Sequence, residues 1–177
     1  MEHNLDFGAE AQGNHTLAAL RGLEHQGEVA SDVRFSPGVF ISSDPESDIT
    51  TRVDCTLGQL LDLTCKGTRP GRWLSLNIEL GAYDLTGRSV IGIMCKTRSE
   101  DTQTFRVCLR SGLQGGFQDA FFSKRVISYK EESTHADVMK LAERDDVPAQ
   151  APWRELILFL PPELRQVSLG DLALFGV

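Results

Sequence analysis

The residues best suited to chemistry are aromatic and polar side chains at the start of, and along, two predicted strands. Asn77 and Glu79 follow Trp73 at a spacing of two, and Arg106 and Arg110 alternate with apolar residues in a later stretch. Flat aromatic faces stack on apolar ring faces, while amides, carboxylates and guanidinium groups hydrogen-bond hydroxyls. If the two strands lie close together in one sheet, they form a ligand surface. Its members are Trp73, Asn77, Glu79, Arg106 and Arg110.

Each of these residues also has an interpretation without a ligand. Trp73 and a second tryptophan, Trp153, stand at strand starts, where a β-sandwich often packs such side chains into its core or sheet edge. The polar side chains are equally typical of a solvated sheet face. The remaining aromatic platforms are Tyr83, Phe117 and Tyr129.

Catalytic patterns are weak. Glu79 and Asp84 form the only carboxylate pair framed by regular structure, and 25 acidic residues make such pairs common. The sequence contains no Gly-x-Ser-x-Gly motif, and a cysteine nucleophile would need His135, the one histidine beyond residue 25. A cupin-type metal centre would need a His-x-His pair, which is absent. We therefore expect no enzymatic activity and no cofactor.

The four cysteines carry no metal-binding or disulfide pattern. They are Cys55, Cys65, Cys95 and Cys108, separated by 10, 30 and 13 residues, with no Cys-x-x-Cys pair. Each falls inside an apolar run, so we expect buried, reduced thiols. One or two disulfides are the alternative if the chain is exported.

Composition sets the limits on function. The chain has 177 residues, 41% of them hydrophobic, a net charge of −7 and a pI near 5.1. An acidic chain is a poor partner for nucleic acid, because proteins bind the phosphate backbone chiefly through Lys and Arg side chains. The longest apolar runs are about five residues, against roughly 20 for a membrane-spanning helix. The N-terminal residues show no signal-peptide pattern, and a cytoplasmic location is the default expectation.

Short apolar stretches with period two, separated by Gly, Pro, Asp and Ser clusters, predict an all-β antiparallel sandwich of about eight strands. We expect the sandwich to occupy residues 33–177. Residues 1–32 are polar and predict an arm with a short helix from His15 to about His25, capped by Asn14. A second short helix is expected within residues 133–144, because good helix formers occur there.

Alternation also predicts which residues lie between the sheets. Along residues 73–80, leucine and isoleucine occupy every second position, so that set faces the core. Residues 98–103 read as a hairpin loop that pairs the strand before it with the strand after it. The predicted core residues are Leu74, Leu76, Ile78, Phe105, Val107, Leu109, Ile157 or Leu158, and Phe159.

Three segments resemble the galactose-binding-like jelly rolls used by many carbohydrate-binding modules. Residues 71–80 are similar to the strand that these modules open with tryptophan, residues 153–160 to their penultimate strand, and residues 167–174 to their closing strand. The resemblance covers about residues 33–177. It implies a jelly-roll sandwich that binds an oligosaccharide or polysaccharide without catalysis. The closing strand often carries adjacent acids that hold calcium, whereas here Gly170 precedes a single Asp171, which remains a weak calcium candidate.

A second interpretation comes from a different class of protein. One sheet face could serve as an interaction or oligomerisation surface without any small-molecule ligand, with a homo-oligomer as one form. Fold alone does not decide between these two functions.

Overall fold

A computed structural model describes residues 11–177, and in this part of the chain it contains one helix, one 3₁₀ turn and thirteen strands. The all-β sandwich is confirmed, although the described residues form more strands than the expected eight or so. The elements are α1 (Ala11–Arg21), β1 (His25–Val29), β2 (Arg34–Ser36), β3 (Val39–Ser43), β4 (Thr50–Cys55), β5 (Leu61–Lys66), β6 (Leu74–Gly81), β7 (Val90–Arg98), β8 (Gln103–Leu113), β9 (Gly116–Phe121), β10 (Val126–Ser128), β11 (Ser133–Lys140), the 3₁₀ turn Leu141–Glu143, β12 (Arg154–Leu160) and β13 (Gln166–Gly176).

The strands form two antiparallel sheets. The six-stranded sheet has the order β1-β4-β5-β13-β7-β11, and the seven-stranded sheet has the order β10-β8-β12-β6-β3-β2, with β9 also pairing with β8. Within the seven-stranded sheet, β12 separates β6 from β8. The two strands that carry the predicted polar residues therefore share one sheet, one strand apart.

The core between the sheets follows the predicted alternation. Leu74, Leu76 and Ile78 on β6 are buried in it, as are Phe105, Val107 and Leu109 on β8. On β12, Leu158 takes the core position. The prediction for Phe159 is wrong, because β12 turns Phe159 and Ile157 to the opposite face. Since β12 is apolar on both faces, its sequence has no alternation of apolar and polar residues that would show which face is turned to the core.

The predicted hairpin between β7 and β8 is also wrong. β7 pairs with β11 and β13, whereas β8 pairs with β9, β10 and β12 in the other sheet. The loop is a corner between sheets, where the Ser99 backbone N–H donates to the Tyr129 carbonyl at 2.7 Å. A polar loop of this length is compatible with a corner as well as with a hairpin.

The helix expected within residues 133–144 is a strand for most of its length. All eight residues of β11 pair with β7, and only Leu141–Glu143 form a single 3₁₀ turn. Asp137 and Met139 are buried and Val138 is exposed, which is strand alternation. Helix propensity is a weak preference, and sheet pairing overrides it here.

The N-terminal helix exists, but it begins earlier than predicted and ends at Arg21. Asn14 lies inside α1 rather than capping it, and its amide donates to the Leu174 carbonyl at 3.2 Å. Leu17 and Leu20 are fully buried in the core of the sandwich, and β1 pairs with β4. Residues 1–10 of the predicted arm lie outside the described residues.

All four cysteines are buried and free, without disulfides. Burial raises the pKa of the Cys95 and Cys108 thiols to about 12. In residues 11–177, no helix is long and apolar enough to cross a bilayer.

Candidate ligand-binding groove

A groove of about 460 Å³ runs over the outer face of the seven-stranded sheet. It is built from the side chains that alternate with the core residues of β3, β6, β8 and β12, together with the residues that precede β6 and β12. The lining residues are Asp32, Phe40, Ser42, Trp73, Ser75, Asn77, Arg110, Trp153, Glu155, Ile157 and Phe159.

Small polar and apolar side chains form the floor of the groove. Asn77 faces the groove as alternation requires, but only 4% of it is exposed, because its neighbours on β3 and β12 close over it. Its side-chain amide donates to Ser75 Oγ at 3.0 Å. Ile157 lies opposite Asn77 on β12, and both Ile157 and its β8 partner Cys108 are buried.

The loop before β6 fixes Trp73 at one end of the groove. The buried Asp44 carboxylate accepts hydrogen bonds from the backbone N–H and from Nε of Arg72, both at 2.9 Å. These bonds hold the pKa of Asp44 down at about 2. Gly71 has a φ of 75° and lies so close to Asp44 that a Cβ there would be 2.8 Å from the Asp44 Cβ. The Arg72 guanidinium stands 5.6 Å from the Trp73 ring centroid.

Trp153 lies at the other end, and its indole rests flat on Gly112 of β8. A Cβ at Gly112 would be only 2.5 Å from the indole Cε2. The next residue, Arg154, is 1% exposed, and its guanidinium donates hydrogen bonds to neighbouring residues. Nε donates to the Tyr83 carbonyl at 2.9 Å, and one terminal nitrogen donates to the Ala149 carbonyl at 3.1 Å. The other terminal nitrogen donates to Ser111 Oγ. Desolvation by burial lowers the pKa of this guanidinium.

The two tryptophans lie at opposite ends because β6 and β12 are antiparallel. Leu74 pairs with Leu160 at one end, and Gly81 pairs with Arg154 at the other. Seven residues at about 3.3 Å each separate the two ends by roughly 23 Å along the strand direction. The groove therefore offers an aromatic side chain at each end of a polar floor.

A line of five charged side chains crosses the sheet near Trp153, and we call it the charged row: Asp119, Arg110, Glu155, Glu79 and Arg34. Arg110 makes a bidentate ion pair with Asp119, at 2.6 and 2.8 Å, and its guanidinium stacks 3.9 Å from the Phe117 centroid. Arg34 pairs with Glu79, with Nε 3.1 Å from Oε1. Glu155 lies directly between Arg110 and Glu79 in the register. Burial raises the pKa of Glu155, the Arg110 charge opposes this rise, and the Glu79 charge adds to it.

The predicted site residues therefore divide into two groups. Trp73, Asn77 and Arg110 line the groove, whereas Glu79 and Arg106 lie on the same sheet face at its margin. Arg106 is exposed and stacks 3.6 Å from the Phe121 centroid. Trp153 lies outside the core: its indole packs on Gly112 and is 37% exposed.

Sequence reasoning did not assign seven of the lining residues to a site: Asp32, Phe40, Ser42, Ser75, Glu155, Ile157 and Phe159. Glu155 stands two residues after Trp153, so period two would have placed both on one face. The apolar residues on both faces of β12 obscured that signal, because they leave open which of its faces is turned to the core. The pair Glu79 and Asp84 does not face one bond, since Glu79 binds Arg34 and Asp84 caps its own turn through the Thr86 N–H.

Calcium does not fit at Asp171. Its Oδ1 accepts from Arg21 Nε at 3.0 Å, from Arg21 Nη2 at 2.6 Å and from the Leu172 N–H at 2.9 Å. A guanidinium from α1 thus neutralises the charge of this carboxylate and occupies its Oδ1. Within residues 11–177, no group of three or more His, Cys, Asp or Glu side chains is arranged to hold a metal ion.

Comparison with known proteins supports the fold at low sequence identity. The sequence matches no known family model, and no curated protein matches it. A CBM4 module superposes with a TM-score of 0.60 at 14% identity, over 85% of this chain and 94% of that one. The CBM22-1 xylan-binding domain of Paenibacillus barcinonensis Xyn10C has a TM-score of 0.54 at 13% identity, over 90% and 91% of the two chains.

A third structure is the family 11 carbohydrate-binding module from Clostridium thermocellum in complex with a β-1,3-1,4-mixed-linked tetrasaccharide. It has a TM-score of 0.55 at 10% identity and covers 88% of this chain and 98% of that one. The chain has the jelly-roll fold of carbohydrate-binding modules. The resemblance noted in the sequence is thereby confirmed for the fold.

Proposed function

We propose that this chain is a non-catalytic carbohydrate-binding module that holds an oligosaccharide or a segment of a polysaccharide in the groove. The observation that carries the proposal is the pair of tryptophans at the two ends of one polar groove. A pyranose has an apolar face that stacks on indole and a rim of hydroxyls that hydrogen-bond polar groups. The fold shared with carbohydrate-binding modules supports the same assignment.

The groove supplies both kinds of contact without a metal. Trp73 and Trp153 offer the stacking faces, and Ser42 and Arg110 offer a hydroxyl and a guanidinium group. Arg110 is held in place by Asp119 and Phe117, so a ligand would not have to order it. Preorganised groups lose little entropy on binding, which favours recognition of weakly binding hydroxyls.

Affinity gel electrophoresis against neutral and acidic polysaccharides, followed by titration with oligosaccharides, tests this proposal. Trp73→Ala and Trp153→Ala should each weaken retention, and the double variant should abolish it. Tyr129→Ala is the matched control, because Tyr129 is 43% exposed and lies outside the groove. Absence of retention by every polysaccharide, or equal retention of wild type and double variant, would remove the proposal.

An interaction domain is the second candidate, and one observation favours it. On the outer face of the six-stranded sheet, Met94 is 43% exposed and Val138 is 47% exposed on the neighbouring strands β7 and β11. Light scattering over a concentration series tests it. A concentration-dependent oligomer that Met94→Lys disperses would favour this function, and a monomer at all concentrations would exclude self-association.

A further inference from the structure

We propose that Glu155 makes the groove selective for amino sugars with a free ammonium group over acidic sugars. This inference rests on the proposed function, since it names the class of saccharide that the same groove would take. It comes from Glu155, a carboxylate of the groove wall that makes no salt bridge and lines the same end of the groove as Trp153.

Glu155 is the one member of the charged row that has no salt bridge, although the charges of Arg110 and Arg34 attract its carboxylate. Arg110 is bound by Asp119 and Arg34 is bound by Glu79, so both guanidinium groups already have carboxylate partners. Glu155 makes no hydrogen bond or ion pair with any residue that the structure describes. The row contains three carboxylates and two guanidinium groups, so its formal net charge is −1, and Glu155 is its only carboxylate that lines the groove.

The surroundings of Glu155 favour a cation over a neutral or acidic group. The carboxylate is half-buried, and a charge in such a place is stabilised by an opposite charge at short range. Burial raises the pKa of Glu155 in spite of the opposing charges of Arg110 and Arg34. A uronate in the groove would add a second unpaired negative charge, and the net charge of the whole chain, −7, opposes it as well.

An aromatic face next to the carboxylate completes the recognition. Trp153 and Glu155 both line the groove at the same end, and the indole is 37% exposed. An ammonium group is attracted to the face of tryptophan by a cation–π interaction, and it forms a charge-assisted hydrogen bond with a carboxylate. The hydroxyls of the same sugar ring could then bind the serines of the floor.

Titration calorimetry with two oligosaccharides of equal length and linkage, one of glucosamine and one of N-acetylglucosamine, isolates the charge. An oligogalacturonate of similar length serves as the acidic probe. At low salt and near-neutral pH, we expect the wild type to bind the glucosamine oligomer about three- to tenfold more tightly than the acetylated one, the range that an ion pair of this exposure supplies. Glu155→Gln should reduce this preference to near unity.

The control variant is Glu28→Gln, which removes an exposed carboxylate from β1 in the other sheet and should keep the wild-type preference. Equal affinity of the wild type for both oligomers would overturn the inference, as would tighter binding of the galacturonate. If Glu155→Gln kept the preference for the glucosamine oligomer, that preference would come from the overall charge of the protein, and the inference would be overturned. Failure to bind any saccharide would instead refute the proposed function.

Discussion

Replacing Gly112 by alanine should disrupt the ligand platform without unfolding the protein. The alanine Cβ would stand 2.5 Å from Cε2 and 2.7 Å from Cδ1 of the Trp153 indole. Ordinary carbon–carbon contact needs about 3.5 Å or more. The indole must therefore lift or rotate by about 1 Å. Because the φ of Gly112 is not in the left-handed region, the backbone itself accepts alanine.

The magnitude follows from the loss of one stacking contact. An aromatic contact in good geometry contributes about 0.5–1.5 kcal/mol beyond its buried area, so saccharide affinity should fall about three- to tenfold. Trp153 is at the surface and can move, so the free energy of unfolding should change by about 1 kcal/mol or less. Titration calorimetry measures the affinity, and tryptophan emission in a Trp73→Phe background reports on Trp153 alone.

Gly116→Ala is the matched control, because Gly116 lies on β9 just beyond the same turn and a Cβ there would meet nothing within 4 Å. It should behave as wild type in both measurements. If Gly112→Ala bound saccharide with unchanged affinity while its emission changed, Trp153 would not be a platform. If neither quantity changed, the indole would not rest on Gly112.

Three further predictions concern the scaffold of the groove. Leu76→Ala, at a core position 1% exposed, should lower the free energy of unfolding by about 2–5 kcal/mol in urea denaturation, and an unmoved midpoint would contradict the face assignment of β6. Asp44 has a pKa lowered from 3.8 to about 2, so its hold on the Trp73 loop should be complete above pH 3.8 and be lost as the pH falls toward 2. In a Trp153→Phe background, emission of Trp73 should follow that transition, and Asp44→Asn should abolish it. Removal of calcium by chelation should leave the melting temperature unchanged, whereas Arg21→Ala should lower it; a calcium-dependent rise in the wild type would show that Asp171 binds the ion.

Much of the sandwich could be predicted from local patterns, and the failures have a common physical origin. β6 alternates strictly, so the core direction of Leu74, Leu76 and Ile78 was readable from the sequence. β12 is apolar on both faces, because one face meets the core and the other forms the groove, and period two then gives no direction for Phe159. The placement of β7 and β8 in different sheets is a long-range property that no local pattern records.

Part of the groove could also be predicted from the sequence. Trp73, Asn77 and Arg110 were found because their strands alternate, whereas Glu155 was missed because β12 is apolar on both faces and does not show which one is outward. Gly112 belongs to β8, and the turn that follows β8 lies at Gln114 and Gly115. The need for glycine at 112 comes from the Trp153 indole, 41 positions later in the chain, and so it could not be inferred locally.

The four buried thiols are divided unequally between the sheets. Cys55, Cys65 and Cys95 lie in the six-stranded sheet, whereas Cys108 lies in β8 beneath the groove, outside the core cluster between the sheets. The rate at which Cys108 is alkylated is therefore set by local opening of the groove floor, while the other three report on opening of the opposite sheet. Alkylation of the native cysteines can thus distinguish local opening of the groove sheet from local opening of the six-stranded sheet.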